Sequence, residues 1–357
     1  MATKTFTASG SAPHLWSDTT KWSGGTLPAE GDTVIIADGT ICTIDMDTPN
    51  LAYIGTDGVA GTGQCQFSAD VTVTFEDMEA GASPQGGGFF ALIPNNTITL
   101  NGTVKGSSNL EVPFRYGSFN AASGGTINIT GDCLGWSGDG ARGCFNGSSG
   151  TINITGVCIG GSGSDANSCH NNSSGEINIT GDCIGGIESN ARGCWNNSSG
   201  EINITGNCIG GSGSNTDGCR NNSSGAINIM GDCIGGSGGA VSGCRNNSGG
   251  VVHIHGKTIG HAETSNSRGV LIAASSTGRV YFHDDLEDGA ADAVFNAAGT
   301  DAMCYIVRGK KWYDADGNEK AFPDWLEYMT AGRRGLLAGN LMRGKLLKGR
   351  LMTSNLL

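Results

Sequence analysis

Residues 126 to 250 repeat five times with a period of 25 and no insertion. The copies open TINIT at Thr126 and Thr151, EINIT at Glu176 and Glu201, and AINIM at Ala226, with a looser sixth, VVHIH, at Val251. A short fixed period marks a solenoid, a propeller or an array. A propeller blade needs about 40–50 residues, so a unit of 25 points to stacked coils.

The third copy shows how a coil is written. Ile177 and Ile179 alternate with Glu176, Asn178 and Thr180, the period of two that belongs to a half-buried strand. Gly181 and Cys183 continue the inward row, and Ile184 breaks phase, which predicts a corner there. A Gly/Ser/Asn-rich loop follows, then Cys194, Asn196 and Ser198 alternate again before Gly200 turns the chain. No proline interrupts residues 126–250, so every amide there is free to join a ladder.

One such coil cannot bury a core alone. Stacked at about 4.8 Å, each residue lies over its counterpart one repeat away, and the interior becomes columns. Ile127, Ile152, Ile177, Ile202 and Ile227 form one, and Ile129, Ile154, Ile179, Ile204 and Ile229 another. Cys133, Cys158, Cys183, Cys208 and Cys233 form a third, and Cys144, Cys169, Cys194, Cys219 and Cys244 a fourth. Asn146, Asn171, Asn196, Asn221 and Asn246 make an amide column at a bend, where stacked amides satisfy one another and the turn backbone. The expected fold class is therefore all-β: a parallel β-helix, right-handed because parallel crossovers nearly always are, with 25-residue coils and a short C-terminal oligomerisation tail.

The pattern divides the chain. Residues 1–21 read as a lead or docking segment, 22–125 as irregular N-terminal coils, 126–250 as the five regular coils and 251–308 as C-terminal coils. Within the irregular part, the stretch from Thr97 to Val104 matches Thr126 to Cys133 at a spacing of 29, which places the extra residues near Lys105 to Arg115. Residues 309–334 read as a linker with a turn at Asp314 to Gly317 and a short helix from Pro323 to Thr330. Residues 335–357 repeat a Leu/Gly pentad, with Leu336, Leu341, Leu346 and Leu351 five apart. Helix geometry would smear those leucines round the axis, and each glycine would cost about 1 kcal/mol. A five-residue β face that packs on other chains fits better.

Charge is uneven. The net charge is −12, from 21 basic and 33 acidic residues. Six of the basic residues (Arg333, Arg334, Arg343, Lys345, Lys348 and Arg350) lie beyond residue 332, where no acid occurs, leaving 15 basic against 33 acidic residues, a net −18, in the rest. An acidic body argues against nucleic-acid binding. The opening MATKTFTASG lacks the apolar core of a signal peptide, and no 18-residue apolar run exists to span a membrane. Glycine, 62 of 357 residues, recurs at coil corners.

Thirteen cysteines are present, ten of them in the two columns and three, Cys42, Cys65 and Cys304, outside. The two in a coil are 11 apart, so a disulfide per coil is one reading; free inward thiols acting as small apolar side chains is the one favoured here. No pair has the spacing of a zinc site, and no metal or cofactor is expected. The sequons at Asn128 and Asn153 lie on regular strands and read as a structural column.

The stretch from Trp22 through Gly24, Gly25 and Pro28 to Gly31, Asp32, Val34 and Ile36, followed by Gly39 to Asp45, resembles the opening coils of many bacteriophage tail-fibre and tailspike proteins. It is similar as well to a glycine-rich β module of extracellular proteins. The resemblance covers roughly residues 16–47. It implies the start of a β-helix and a virion setting, and it carries no catalytic residue across. The low charged fraction, 15%, and the Ser/Thr/Asn/Gly-rich surface agree with that setting.

β-Helices also host polysaccharide lyases and glycosidases, whose carboxylates lie roughly 5–9.5 Å apart. Asp132, Asp182 and Asp232 share a column at every second coil, about 9.6 Å apart by the coil spacing, and Glu176 and Glu201 are neighbours in another. Because Val157 and Asn207 replace the aspartates in the intervening coils, the column reads as solvated loop. His253 and His255 share a strand face near His261 and Glu263, and they read as surface imidazoles. No catalytic residue is assigned.

Phe145, His170, Trp195, Arg220 and Arg245 occupy one position per coil and point opposite to the cysteines, hence outward. Aromatic and arginine side chains favour interfaces, so this strip is expected to meet a neighbouring subunit or a glycan. The sequence-level expectation is a non-enzymatic virion-surface protein. It would be assembled in the bacterial cytoplasm, form a homotrimer, and attach to host glycan or to other virion proteins. A carbohydrate-active β-helix enzyme is the first alternative. An ice- or surface-binding solenoid is the second, its flat Thr/Asn face interrupted by Glu176, Glu201, Met230 and His255.

Overall fold

The structure is a computed structural model that describes residues 1–8, 12–58, 61–81, 88–92, 95–107, 115–120, 124–261, 266–290, 292–299 and 303–329. Among the described residues it is all-β, with almost no helix beyond two three-residue 3-10 turns, Thr19–Lys21 and Ser23–Gly25. The described strands form three sheets of 14, 10 and 12 members, and successive strands in each sheet come from successive coils, except for the antiparallel pair that ends the 10-stranded sheet. The chain runs round three faces and returns one layer higher.

A regular coil contributes one strand to each face. In the second copy these are Thr151–Ile154, Cys158–Ile159 and Cys169–Asn171. Pairing is parallel and in register at the repeat: Ile152 with Ile177, Cys158 with Cys183, Cys169 with Cys194. The coil of residues 97–105 joins the same ladders, with Ile98 opposite Ile127 and Val104 opposite Cys133. The bend expected at Ile184 lies earlier, at Thr180 and Gly181, and Cys183–Ile184 is a strand of its own.

Alternation decides what is buried. The isoleucine pairs and both cysteine columns are fully enclosed in one continuous core. At about 25 cal/mol per Å² of apolar surface removed from water, that shared core is what no isolated coil supplies. Asn146, Asn171, Asn196 and Asn221 are buried too, and each donates its side-chain amide to the carbonyl of Gly150, Gly175, Gly200 or Gly225 at 2.7–2.8 Å. The corners leave no room for side chains. A Cβ on Gly161 would lie 2.1 Å from the Trp136 carbonyl of the preceding coil, closer than any atom pair tolerates.

Two expectations for the ends change. The lead segment belongs to the solenoid: Thr3–Phe6 pairs with Thr33–Ile36, and His14–Leu15 with Cys42–Thr43. Phe6, Trp16 and Trp22 are buried there, with Trp16 and Trp22 meeting edge to face at 4.6 Å and the Trp22 indole donating to the Trp16 carbonyl at 2.7 Å. The resemblance segment thus builds an aromatic plug over the first coil. At the other end no helix forms from Pro323 to Met329. Leu326–Tyr328 is a strand paired with Cys304–Ile306, because burying Leu326 and Met329 on the stack outweighs local helix preference. Trp312–Tyr313 and Glu319–Lys320 form an antiparallel hairpin over the turn at Asp314 to Gly317. The leucine tail and its pentads lie outside the described residues, as does Glu263.

Candidate functional site

The strip on the third face is built from two adjacent columns. Register places Phe145 over His170, His170 over Trp195, Trp195 over Arg220 and Arg220 over Arg245. Beside them run Tyr116 and Arg142, then Asn167, Arg192, Asp217 and Ser242, with Arg268 one coil further. The second column was not anticipated. Its signal was the recurrence of polar or charged residues three positions before the first column, hidden by their changing identity.

The rings stack. Tyr116 and Phe145 lie parallel with centroids 4.7 Å apart, Phe145 meets His170 edge-on at 5.2 Å, and His170 lies on Trp195 at 4.2 Å. Guanidiniums cover the stack from the side: Arg142 sits 5.1 Å from the Tyr116 ring, Arg192 4.8 Å from Trp195 and Arg268 4.2 Å from Phe295. Such cation–ring contacts are worth about 0.5–2 kcal/mol, more as they are desolvated. Arg142 also donates to the Tyr116 hydroxyl at 2.7 Å.

The strip points outward but is not open. His170 is 4% exposed and Arg220 8%, because the loops between the second and third faces fold alongside. Asp217, fully buried, accepts Arg220 Nε at 2.7 Å and lies 3.9 Å from Arg245 Nη1. Its other oxygen accepts the Ser242 amide at 3.1 Å. Arg192 faces Asp165 at 3.6 Å. Burial, with the charges of Arg142 and Arg192, holds the His170 imidazole well below its ordinary pKa, so it stacks as a neutral ring. Burial and then the neighbouring Arg220 bring Arg192 down to about 10, still charged near neutrality. Both ring nitrogens of His170, the indole nitrogen of Trp195 and the Nε atoms of Arg142, Arg192 and Arg268 have no hydrogen-bond partner among the described residues. The strip is therefore rich in cations and donors on an otherwise acidic body.

The aspartate column is occupied by the backbone. Asp132 accepts the amide of Val157 at 2.8 Å, Asp182 that of Asn207 at 2.7 Å, and Asp232 that of Lys257 at 2.8 Å. Asn207 accepts the Asp232 amide in the same way, at 2.8 Å. Asp70 does so for Thr97 at 2.7 Å, and Asp285 for Lys311 at 2.9 Å. An oxygen in one coil caps an amide of the next, which explains why Asp and Asn interchange there.

On the first face, Asn153, Asn178, Asn203 and Asn228 each donate to the asparagine of the preceding coil at 2.7–2.9 Å. Those amides are committed to one another. Glu176 and Glu201 accept from Asn203 and Asn228 at 3.1 and 2.6 Å. Burial and the charge of Glu176 raise the Glu201 carboxyl. Further along this face His253 stacks on Tyr281 at 4.6 Å and His255 on His283 at 4.1 Å. Burial, aided by the neighbouring imidazoles, brings His253 and His283 down to about 4. The structure does not bring His261 into these stacks.

All thirteen cysteines are buried and free. Three groups, Cys133/Cys144/Cys169, Cys158/Cys183/Cys194 and Cys183/Cys208/Cys219, hold their sulfurs within 4.8 Å of one another. Within these groups burial pushes the thiols of Cys133, Cys169, Cys194, Cys208 and Cys219 up, whereas at Cys144, Cys158 and Cys183 burial is outweighed by hydrogen bonds from neighbouring thiols and the group is held below its ordinary pKa, Cys144 at about 5. Comparison of the chain with family models, with curated proteins and with solved structures finds no match.

Proposed function

We propose that the chain is a non-catalytic structural protein of a phage-type virion, a tail fibre or spike, whose solenoid holds a lateral strip for attachment. The observation that carries this reading is the pair of columns in which Tyr116, Phe145, His170 and Trp195 stack beside Arg142, Arg192, Arg220 and Arg245. Of these, Phe145, Trp195, Arg142 and Arg245 keep part of their surface open, while the buried Tyr116, His170, Arg192 and Arg220 hold them in place. Such rigidly spaced rings and guanidiniums suit the faces and acidic groups of a surface glycan, and they lose little conformational freedom on binding. The parallel β-helix and the tailspike-like opening at Trp22 to Asp45 support the setting. A homotrimer, with the leucine tail joining subunits, completes the proposal.

The test is binding of the full chain to immobilised acidic and neutral bacterial surface glycans, beside its mass in solution. Binding to acidic glycans that weakens in Trp195→Ala and Arg245→Ala supports the reading. Indifference of wild type to every glycan, or equal binding by both variants, removes it. A monomeric mass removes the trimer.

The enzyme reading retains one supporting observation, the adjacent Glu176 and Glu201 with the latter's proton affinity raised. Release of reducing or unsaturated ends from a bound glycan, lost in Glu201→Gln, would favour it over attachment.

A further inference from the structure

The ten column cysteines do not behave alike. In the third, fourth and fifth coils the first cysteine donates its S–H to a carbonyl of the coil beyond: Cys183 to Gly218 at 3.1 Å, Cys208 to Gly243 at 2.8 Å, Cys233 to Gly269 at 3.1 Å. In the first two coils the equivalent contacts have slackened, to 3.8 Å for Cys133 with Ser168 and 3.7 Å for Cys158 with Gly193. There the sulfur turns to the other cysteine of its own coil, Cys158 donating as well to Ser168 Oγ at 3.0 Å, whereas the close sulfur contact of Cys183 in the third coil is to Cys219 of the next coil, at 3.2 Å. Cys133 Sγ lies 2.8 Å from Cys144 Sγ, and Cys158 Sγ 3.1 Å from Cys169 Sγ. The contacts of these pairs with the neighbouring coil are longer, 3.6 Å for Cys133 with Cys169 and 3.5 Å for Cys158 with Cys194.

Those separations choose between two chemistries. Two thiolates on one tetrahedral zinc, each at about 2.3 Å, stand about 3.8 Å apart, wider than either pair. A three-thiolate cage would also leave negative charge in an apolar core lined by isoleucine, at a cost of several kcal/mol. A disulfide is neutral and needs the sulfurs to approach further, to about 2.05 Å. We propose that Cys133–Cys144 and Cys158–Cys169 are a redox modification site, closing as within-coil disulfides, while the cysteines of the next three coils remain hydrogen-bonded thiols. The proposal is independent of the attachment function.

The oxidant is a small disulfide of the glutathione class. The thiolate of one cysteine attacks it, forming a mixed disulfide and releasing one small thiol. The second cysteine, deprotonated, displaces the other small thiol and completes the protein S–S bond. Two electrons pass from the cysteine pair to the reagent, and the two protons end on the two released thiols. All four sulfurs are sealed in the folded chain, so exchange takes place while these coils are open, during folding or transient unwinding. A chain folded in a reducing cytoplasm would stay as thiols, and one that re-forms outside would be stapled.

The test refolds the full chain from denaturant in a buffer of oxidised and reduced glutathione. Remaining thiols are then blocked, and the bridges are mapped by mass spectrometry. The expected result is two bridges, Cys133–Cys144 and Cys158–Cys169, with the other nine cysteines blocked and a melting temperature that drops several degrees on adding reductant. Cys144→Ser removes the first bridge only, leaving Cys133 blocked and the second bridge intact. Thirteen blocked cysteines after oxidative refolding overturn the proposal. So do bridges between coils, or bridges that form equally in the third to fifth coils.

Discussion

His170 lies flat on Trp195, with centroids 4.2 Å apart and planes 10° from parallel. Their backbones are paired in register, so the sheet delivers one ring onto the other without any search by the side chains. The stack and the Arg192 contact above it stabilise the third face locally. Trp195→Ala is expected to cost about 1–3 kcal/mol, and Trp195→Phe less than about 1. Urea unfolding followed by circular dichroism measures both. Equal costs for the two variants would mean that neither the stack nor apolar volume, both of which phenylalanine keeps in part, holds the residue.

Asp182 serves the backbone through one oxygen at 2.7 Å from the Asn207 amide. Asn207 performs the same task one coil on. Asp182→Asn should therefore unfold within about 0.5 kcal/mol of wild type, while Asp182→Leu, which leaves the amide without its acceptor, should lose about 1–3 kcal/mol. A destabilised Asp182→Asn would show that the charge itself matters.

Ala240 has φ 55°, in the column where the chain places Asp165, Asn190 and Asn215 at φ 55–60°. Asp and Asn tolerate this left-handed turn, and alanine pays for its Cβ without compensation. Ala240→Gly is expected to stabilise the protein by about 0.5–1 kcal/mol, the relief of strain being partly offset by the freer unfolded chain. A lowered midpoint in the denaturation curve would contradict this.

The depressed imidazoles set an acid limit. His253 and His283 titrate at about 4 in the folded chain, against an ordinary value near 6.5. Between those limits the unfolded chain binds protons that the native one refuses. This contribution is thus intact above about pH 6.5 and is lost as pH falls toward about 4. The melting temperature should fall across that window, and His253→Asn should flatten the slope. A wild-type curve level from pH 7 to 5 would rule the effect out.

The architecture was legible because a solenoid writes its contacts into its sequence. Ile152 and Ile177 recur at the repeat because they touch. The ends were harder. Phe6 and Trp16 carry no period, so nothing local marked residues 1–21 as a coil. Leu326 to Tyr328 became a strand only because the Cys304–Ile306 edge awaited it. At the strip, the Phe145–Arg245 column was visible from periodicity. The burial of His170 and Arg220 was not, since it depends on loops lying beside the sheet. The role of Asp182 escaped as well, because a side chain that caps an amide 25 residues away leaves no trace in its own neighbourhood.

Each regular coil offers its successor the same set of partners that it takes from its predecessor: Thr126 meets Thr151 as Thr151 meets Glu176. Excising residues 151–175 would therefore rejoin Ile127 to Ile177 and Cys133 to Cys183 with no new fit to solve. Length becomes a heritable dial. Unequal crossing-over within the near-identical repeats can shorten or extend the rod in steps of about 4.8 Å, moving whatever is mounted at its tip while the fold is inherited unchanged.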